Sequence, residues 1–278
     1  MKRLLAIELQ KIWKNKASRI LTITYFVLLS TIALVSAMKF NIGFFALKPS
    51  EMGIFNFPYI WHFTTYIAVW YKMFLAIIIV SMMANEYTYG TLKQNLIDGL
   101  SKKEFLLSKF LTVILFALTS TLFVFIMTLI LGFCFSSYTE LNIVFTDLEY
   151  LIAYFIDLVG FFSFCLFVGI LVKRSAFALG FLLIWFFIEG ALNGILRFFV
   201  FKDPAVTDKV IAFFPLESIS NLIVEPWTRL SLVKTMGTQI GIENTKDYSV
   251  PWFGILIVLA WTIIFMLMSY KLLKKRDL

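Results

Sequence analysis

The sequence predicts an all-α polytopic membrane protein with six transmembrane helices, an amphipathic interfacial helix ahead of the first, and both termini cytoplasmic. Two observations carry this. Hydrophobic residues make up 60% of the 278 residues and charged residues only 15%, and apolar runs long enough to cross a bilayer recur along the chain. The runs are continuous and do not alternate with polar residues, which argues against an outer-membrane barrel. The net charge of +8 sits in clusters beside the runs. It therefore reads as a determinant of topology, with no nucleic-acid partner.

Residues 1–19 are expected to lie on the inner leaflet as an amphipathic helix. Leu4, Leu5, Leu9 and Ile12 form its apolar stripe, with Trp13 at the edge and Lys2, Arg3, Lys11, Lys14 and Lys16 as the basic remainder. A secretory signal peptide is the competing reading, since Val35-Ser36-Ala37 has the pattern of a cleavage site. The apolar run 20–38 exceeds the roughly 7–15 residues of such a signal. The expected spans are 20–38, 63–84, 110–135, 151–172, 176–200 and 252–270, in one transmembrane domain covering 1–278. Cys134 and Cys165 fall inside spans, as small packing residues and not a disulfide framework.

Between the second and third spans, residues 85–109 form a polar, basic island holding Lys93, Lys102, Lys103 and Lys109. Leu92, Leu96, Ile97 and Leu100 share one face of a helix there. Gly99 loosens that helix near its end, and Ser101 with Glu104 has the spacing of a capping box that starts the next one. The loops 39–60, 136–149 and 201–250 are expected outside, the last with a small interfacial helix near 213–222. Lys48-Pro49-Ser50 is a turn signal in the first of them. The inner segments then carry sixteen Lys and Arg against seven outside, which sets the orientation.

Most catalytic chemistry is missing from the inventory. There is one histidine, His62, no His/Cys cluster for a metal, and no Gly-x-x-x-x-Gly-Lys-Ser/Thr loop to hold ATP phosphates. The informative groups are the ionisable residues inside spans, each costly unless paired. Lys72, Asp157 and Glu189 lie at similar depths, about 18–22 Å from the inner ends of their spans at ~1.5 Å per residue, and are expected to form one buried polar cluster. Arg197 lies nearer the outer headgroups. Glu189, Asn193 and Arg197 draw a polar stripe, with Gly190 and Gly194 as a close-packing pair beside it. The group reads equally as a translocation path or protomer interface and as structural glue between spans.

At Glu86-Tyr-Thr-Tyr-Gly90-Thr91-Leu92-Lys93, followed by Leu100-Ser101-Lys102-Lys103, the chain resembles the permease subunits of ABC transporters of the second, export-type class. Those permeases share a Glu-x-x-x-Gly-Thr-Leu pattern at the end of the second span, then a Ser-Arg- or Ser-Lys-like step into the third. The family often has proline before that serine; here Gly99-Leu100 stands there. The layout of the whole chain is also similar. The resemblance implies a permease of a prokaryotic plasma membrane that pairs with a second protomer, identical or related. It also implies separate ATP-binding subunits docked from the cytoplasm, which carry ATP and magnesium while this chain binds no cofactor and is not itself an enzyme. It maps the coupling helix onto about 86–100, making Glu86, Gly90, Thr91, Leu92, Lys93, Leu96, Ile97, Leu100 and Ser101 the ATPase-coupling residues, and the connecting helix onto about 4–16. A non-transporting immunity, anchoring or assembly factor sharing the fold is the alternative. A membrane-embedded enzyme working through Asp157 and Glu189 is a third reading.

Overall fold

The computed structural model describes residues 2–37, 40–42, 45–47, 53–201, 203–230 and 246–276. The Lys48-Pro49-Ser50 turn and the outer lysines Lys39, Lys202 and Lys234 lie outside the described residues. The chain is a helical, multi-pass membrane protein. Among the described residues, five helices are long and apolar enough to cross a membrane, and a sixth crossing is present if one bent pair counts as a single span.

Helix α1 (Lys2–Lys14) is followed by α2 (Lys16–Ala37), with only Asn15 between them. The Asn15 side chain accepts from the Ser18 amide at 3.1 Å, as an N-cap does. A two-stranded antiparallel hairpin follows, β1 (Phe40–Ile42) with β2 (Phe45–Leu47), a small departure from an all-helical chain. The expected second span is α3 (Tyr59–Trp70) and α4 (Lys72–Thr88), bent by 43°. At the bend the Tyr71 amide bonds to Ala68 O and the Phe74 amide to Tyr71 O. This tighter i→i+3 pattern breaks the regular ladder.

The island does not form the single helix expected over 86–100. Helix α4 runs through Thr88, Gly90 turns the chain with φ +66°, and a short α5 (Thr91–Ile97) follows. A Schellman motif ends α5: the Leu100 amide bonds to Asn95 O, the Gly99 amide to Leu96 O, and Gly99 takes φ +98°. Helix α6 (Lys102–Phe135) opens with the expected capping box. The Ser101 Oγ accepts from the Glu104 amide, and the Glu104 carboxylate accepts from the Ser101 amide. Its 34 residues reach about 51 Å at ~1.5 Å per residue, well beyond a hydrocarbon core of ~30 Å. The whole of α6 therefore cannot lie within such a core.

After the short α7 (Leu141–Val144), α8 (Glu149–Val172) ends where Lys173 turns left-handed. Helix α9 (Ser175–Ile195) continues into a π-turn at Leu196–Val200. The outer segment holds α10 (Pro204–Ile211), which the sequence reading missed, and α11 (Pro215–Ser220), inside the expected 213–222. Helix α12 (Trp252–Lys275) closes the chain. Helix α8 is the centre of the bundle and packs against α12, α4, α6, α3 and α9. Its span is 78% buried, against 17% for that of α9.

Within this chain the tightly packed glycines are Gly132 on α6 and Gly160 and Gly169 on α8, while an added Cβ at Gly190 or Gly194 meets nothing within 4 Å. At Gly160 a Cβ would sit 2.6 Å from Val258 Cγ1, a buried, stiff β-branched side chain on α12. Gly160→Ala is expected to cost about 1–3 kcal/mol by overpacking and to lower the melting temperature in detergent. Gly190→Ala is expected to leave it unchanged. Equal melting temperatures for the two variants would contradict this assignment.

Candidate functional site

The capping box and the Gly90 turn place the ends of α4 and α6 side by side, with α5 between them in sequence. Helix α1 lies across this junction. It packs on α6 and turns one acid inward, Glu8, which is buried. That acid meets Lys109 of α6, whose side chain is wholly buried. Lys109 Nζ donates to Glu8 Oε2 and to Glu86 Oε1, both at 2.6 Å. Lys11 Nζ donates to Glu86 at 2.9 Å and lies 3.5 Å from Glu8. Thr91 Oγ1 donates to the other Glu86 oxygen at 2.5 Å.

Two carboxylates and two ammoniums thus neutralise one another across three helices. Burial alone would lower the Lys11 pKa. The bond to Glu86 and the charges of Glu8 and Glu86 outweigh it and leave it raised above the ordinary value. Beside the network is a cavity of about 320 Å³, lined also by Asn15, Ser18, Asn85 and Tyr89.

Each island residue now has a place. Glu86 and Thr91 are bonded to each other and belong to the network. Leu92 is buried, and Leu96 and Leu100 pack partly buried against the chain's own core. The expected apolar stripe therefore faces inward, except for Ile97, which is 74% exposed. The outward surface of this turn is Tyr89, Gly90, Lys93, Gln94 and Ile97. Ser101 is the cap of α6.

The chain's other end joins the same region. Arg276 donates to Tyr87 Oη and to the carbonyls of Ile170 and Leu171 at the end of α8 (3.0 Å to Leu171). Lys102 donates to the Arg276 carbonyl at 2.9 Å.

The expected three-residue intramembrane cluster is divided. Lys72, the first residue after the bend, donates to both oxygens of Asp157 at 2.8 and 2.9 Å. The Phe161 ring lies 4.7 Å from the ammonium. Glu189 bonds elsewhere. It accepts the amides of Leu216 (3.0 Å) and Glu217 (3.1 Å) at the start of α11, and the Trp185 indole N–H (2.5 Å). It thereby ties α9 to the outer segment. Asn193 reaches Glu217 at 3.5 Å, and Arg197 pairs with Asp208 of α10 at 2.5 Å on the exposed surface.

The sequence reading missed two clusters. Glu8 sits among the lysines of an amphipathic helix, and only its i+3 spacing to Lys11 hints that it is paired. Tyr25, Ser120 and Tyr154 join three helices through their hydroxyls, with Tyr154 Oη 3.0 Å from Tyr25 and 2.9 Å from Ser120. No periodicity reveals that contact.

A family described as protein of unknown function (DUF2705) matches residues 23–278. The uncharacterized protein YhcI of Bacillus subtilis (strain 168) is 34% identical over 87 residues, which is 31% of this chain and 28% of that protein. The match thus spans less than a third of that relative's length.

The network's energetics are measurable. Lys109→Met leaves Glu8 and Glu86 facing each other with Lys11 alone between them. Breaking a buried pair this way is expected to cost about 3–5 kcal/mol. Glu8→Gln, which leaves the Lys109–Glu86 bond intact, should cost clearly less. Denaturant unfolding of both variants in one detergent checks the order; a smaller loss for Lys109→Met would contradict it.

Proposed function

The chain belongs to the DUF2705 family, and from this starting point we propose that it is the membrane-spanning permease subunit of an ATP-driven exporter. In this reading α3 and α4 form one bent span, the protein has six, and both termini are cytoplasmic. The membrane is the plasma membrane of a prokaryote. ATP and magnesium are held by separate ATP-binding subunits, and a second permease protomer completes the transporter. The Lys72–Asp157 pair lies along the translocation path.

The observation that carries the proposal is the ion network at the Glu86-x-x-x-Gly90-Thr91-Leu92 motif. A loop that served only to connect two spans would need no four-charge lock to α1 with three of its charges buried. Here the lock makes α1, the end of α4 and the start of α6 one body. The turn at Tyr89–Ile97 projects from that body with a tyrosine, a lysine, a glutamine and an isoleucine facing outward. A partner's push on this turn would pass into two spans without loss in a flexible loop. ATP would then bias the permease through the difference in contacts between its two conformations.

The test is capture of the tagged protein from native membranes in mild detergent, with mass spectrometry of its companions. An ATPase bearing a Gly-x-x-x-x-Gly-Lys-Ser/Thr loop is expected. Tyr89→Asp with Ile97→Asp should release it while the melting temperature stays unchanged, because both side chains face outward. If no such ATPase accompanies the protein, or if it is retained by the double variant, the coupling role fails and a non-transporting membrane component becomes the better account.

A further inference from the structure

At the bend in the second span lies a cavity of about 400 Å³, within the roughly 300–1,000 Å³ of small-molecule sites. Its walls come from α3, α4, α8, α9 and α11. They are mostly aromatic and aliphatic; the charged groups are Lys72 and Asp157, and neutral polar groups come from Tyr66, Trp70 and the exposed Ser220. The rim residues Trp70, Met73, Leu183 and Phe186 are 69%, 42%, 53% and 62% exposed. All four stand on membrane-crossing helices. The mouth is therefore apolar and opens sideways, toward hydrocarbon, so it admits molecules dissolved in the bilayer.

The ion pair sets what the head of such a molecule must be. An ammonium has three N–H groups. Asp157 takes two of them, and the third has no oxygen partner but only the Phe161 ring, 4.7 Å from the ammonium, so a guest oxygen is a better partner for it. The Lys72 side chain is also the more exposed of the two, 11% against 2%, so a guest meets the donor and not the carboxylate. The pair is already neutral. A guest carboxylate or phosphate would add a net negative charge in a low-dielectric wall, and a guest cation would face the ammonium first. A neutral oxygen acceptor satisfies the third N–H without either cost.

We propose that this cavity binds a neutral amphiphile from the bilayer: an apolar body carrying one oxygen acceptor such as an alcohol, ester or amide carbonyl. The assignment extends the transport reading to a class of cargo. Binding itself needs no ATPase and is measured on this chain alone. Lys72 is also 14 residues, about 21 Å along α4, from Glu86, so a failure here leaves the coupling surface untested by the same data.

The experiment uses the protein in lipid nanodiscs with a diazirine-bearing dodecanol, and with the matched dodecanoate and dodecyltrimethylammonium. Adducts are mapped by peptide mass spectrometry. Saturable labelling of cavity peptides by the alcohol is expected, with a preference of about tenfold over both charged probes, the effect of one well-placed hydrogen bond. Leu183→Trp, a change at the exposed mouth, should abolish cavity labelling. Lys72→Met alone would strand Asp157 and risks misfolding. The double variant Lys72→Met with Asp157→Leu keeps an apolar wall and should still label but lose the preference. Equal or stronger labelling by a charged probe overturns the proposal. So does alcohol labelling spread evenly over the lipid-facing helices, or a preference that survives in the double variant.

Discussion

The structure depends on one wholly buried ammonium. Lys109 holds Glu8 from the N-terminal helix and Glu86 from the end of the second span at 2.6 Å each. Without it, two carboxylates would be left in a buried junction, with the partly exposed Lys11 as their remaining cation. The cost of burying charge is met here by mutual pairing: Lys11 shares Glu86 Oε1 with Lys109 and lies 3.5 Å from the free Glu8 oxygen, and Thr91 takes the other Glu86 oxygen. Such a lock contributes little net stability compared with an apolar junction of the same shape. It contributes definition: each acid finds its donors only in one arrangement of three helices. That definition fixes α1 in register with the turn it supports.

A second buried pair, Lys72–Asp157, works under different conditions. It sits at the bend between α3 and α4, inside the bundle, with an aromatic ring against the ammonium. Irregular backbone shielded from water is tolerated where protein or a cavity surrounds it, and here both do. The two pairs lie toward opposite ends of α4, with an unbroken helix from Lys72 to Thr88 between them. Movement applied at one end of a rigid helix is felt at the other without any special pathway. That is the simplest mechanical link between the surface turn and the intramembrane cavity.

Much of the architecture was legible in the sequence because it follows from local rules. Continuous apolar runs marked the crossings, Ser101 and Glu104 marked the start of α6, and Gly99 marked the end of the helix before it. What was misread depends on contacts between distant segments. Leu92, Leu96 and Leu100 do share a face, but periodicity cannot say whether that face meets the chain's own core or a partner; it meets the core. Matching depth correctly joined Lys72 to Asp157. It wrongly added Glu189, because depth carries no information about which side of a helix points where. Glu189 instead receives the free amides at the start of α11; the sequence marked that short helix but not which span it would dock against. Glu8 was hidden among lysines, since a lone acid on a basic helix looks like a solvated residue until its partner 101 positions away is known.

The central claim is that α1 and the turn after α4 move as one body because Lys109 locks them. The most direct measurement is the distance distribution between spin labels at Gln10 and Gln94, both exposed, by double electron–electron resonance in nanodiscs. The account predicts one narrow distribution in the native chain and a broad one in a folded Lys109→Gln variant, whose neutral amide cannot balance both carboxylates. A broad distribution in the native chain, or a narrow one that persists when Lys109 is replaced, would contradict it.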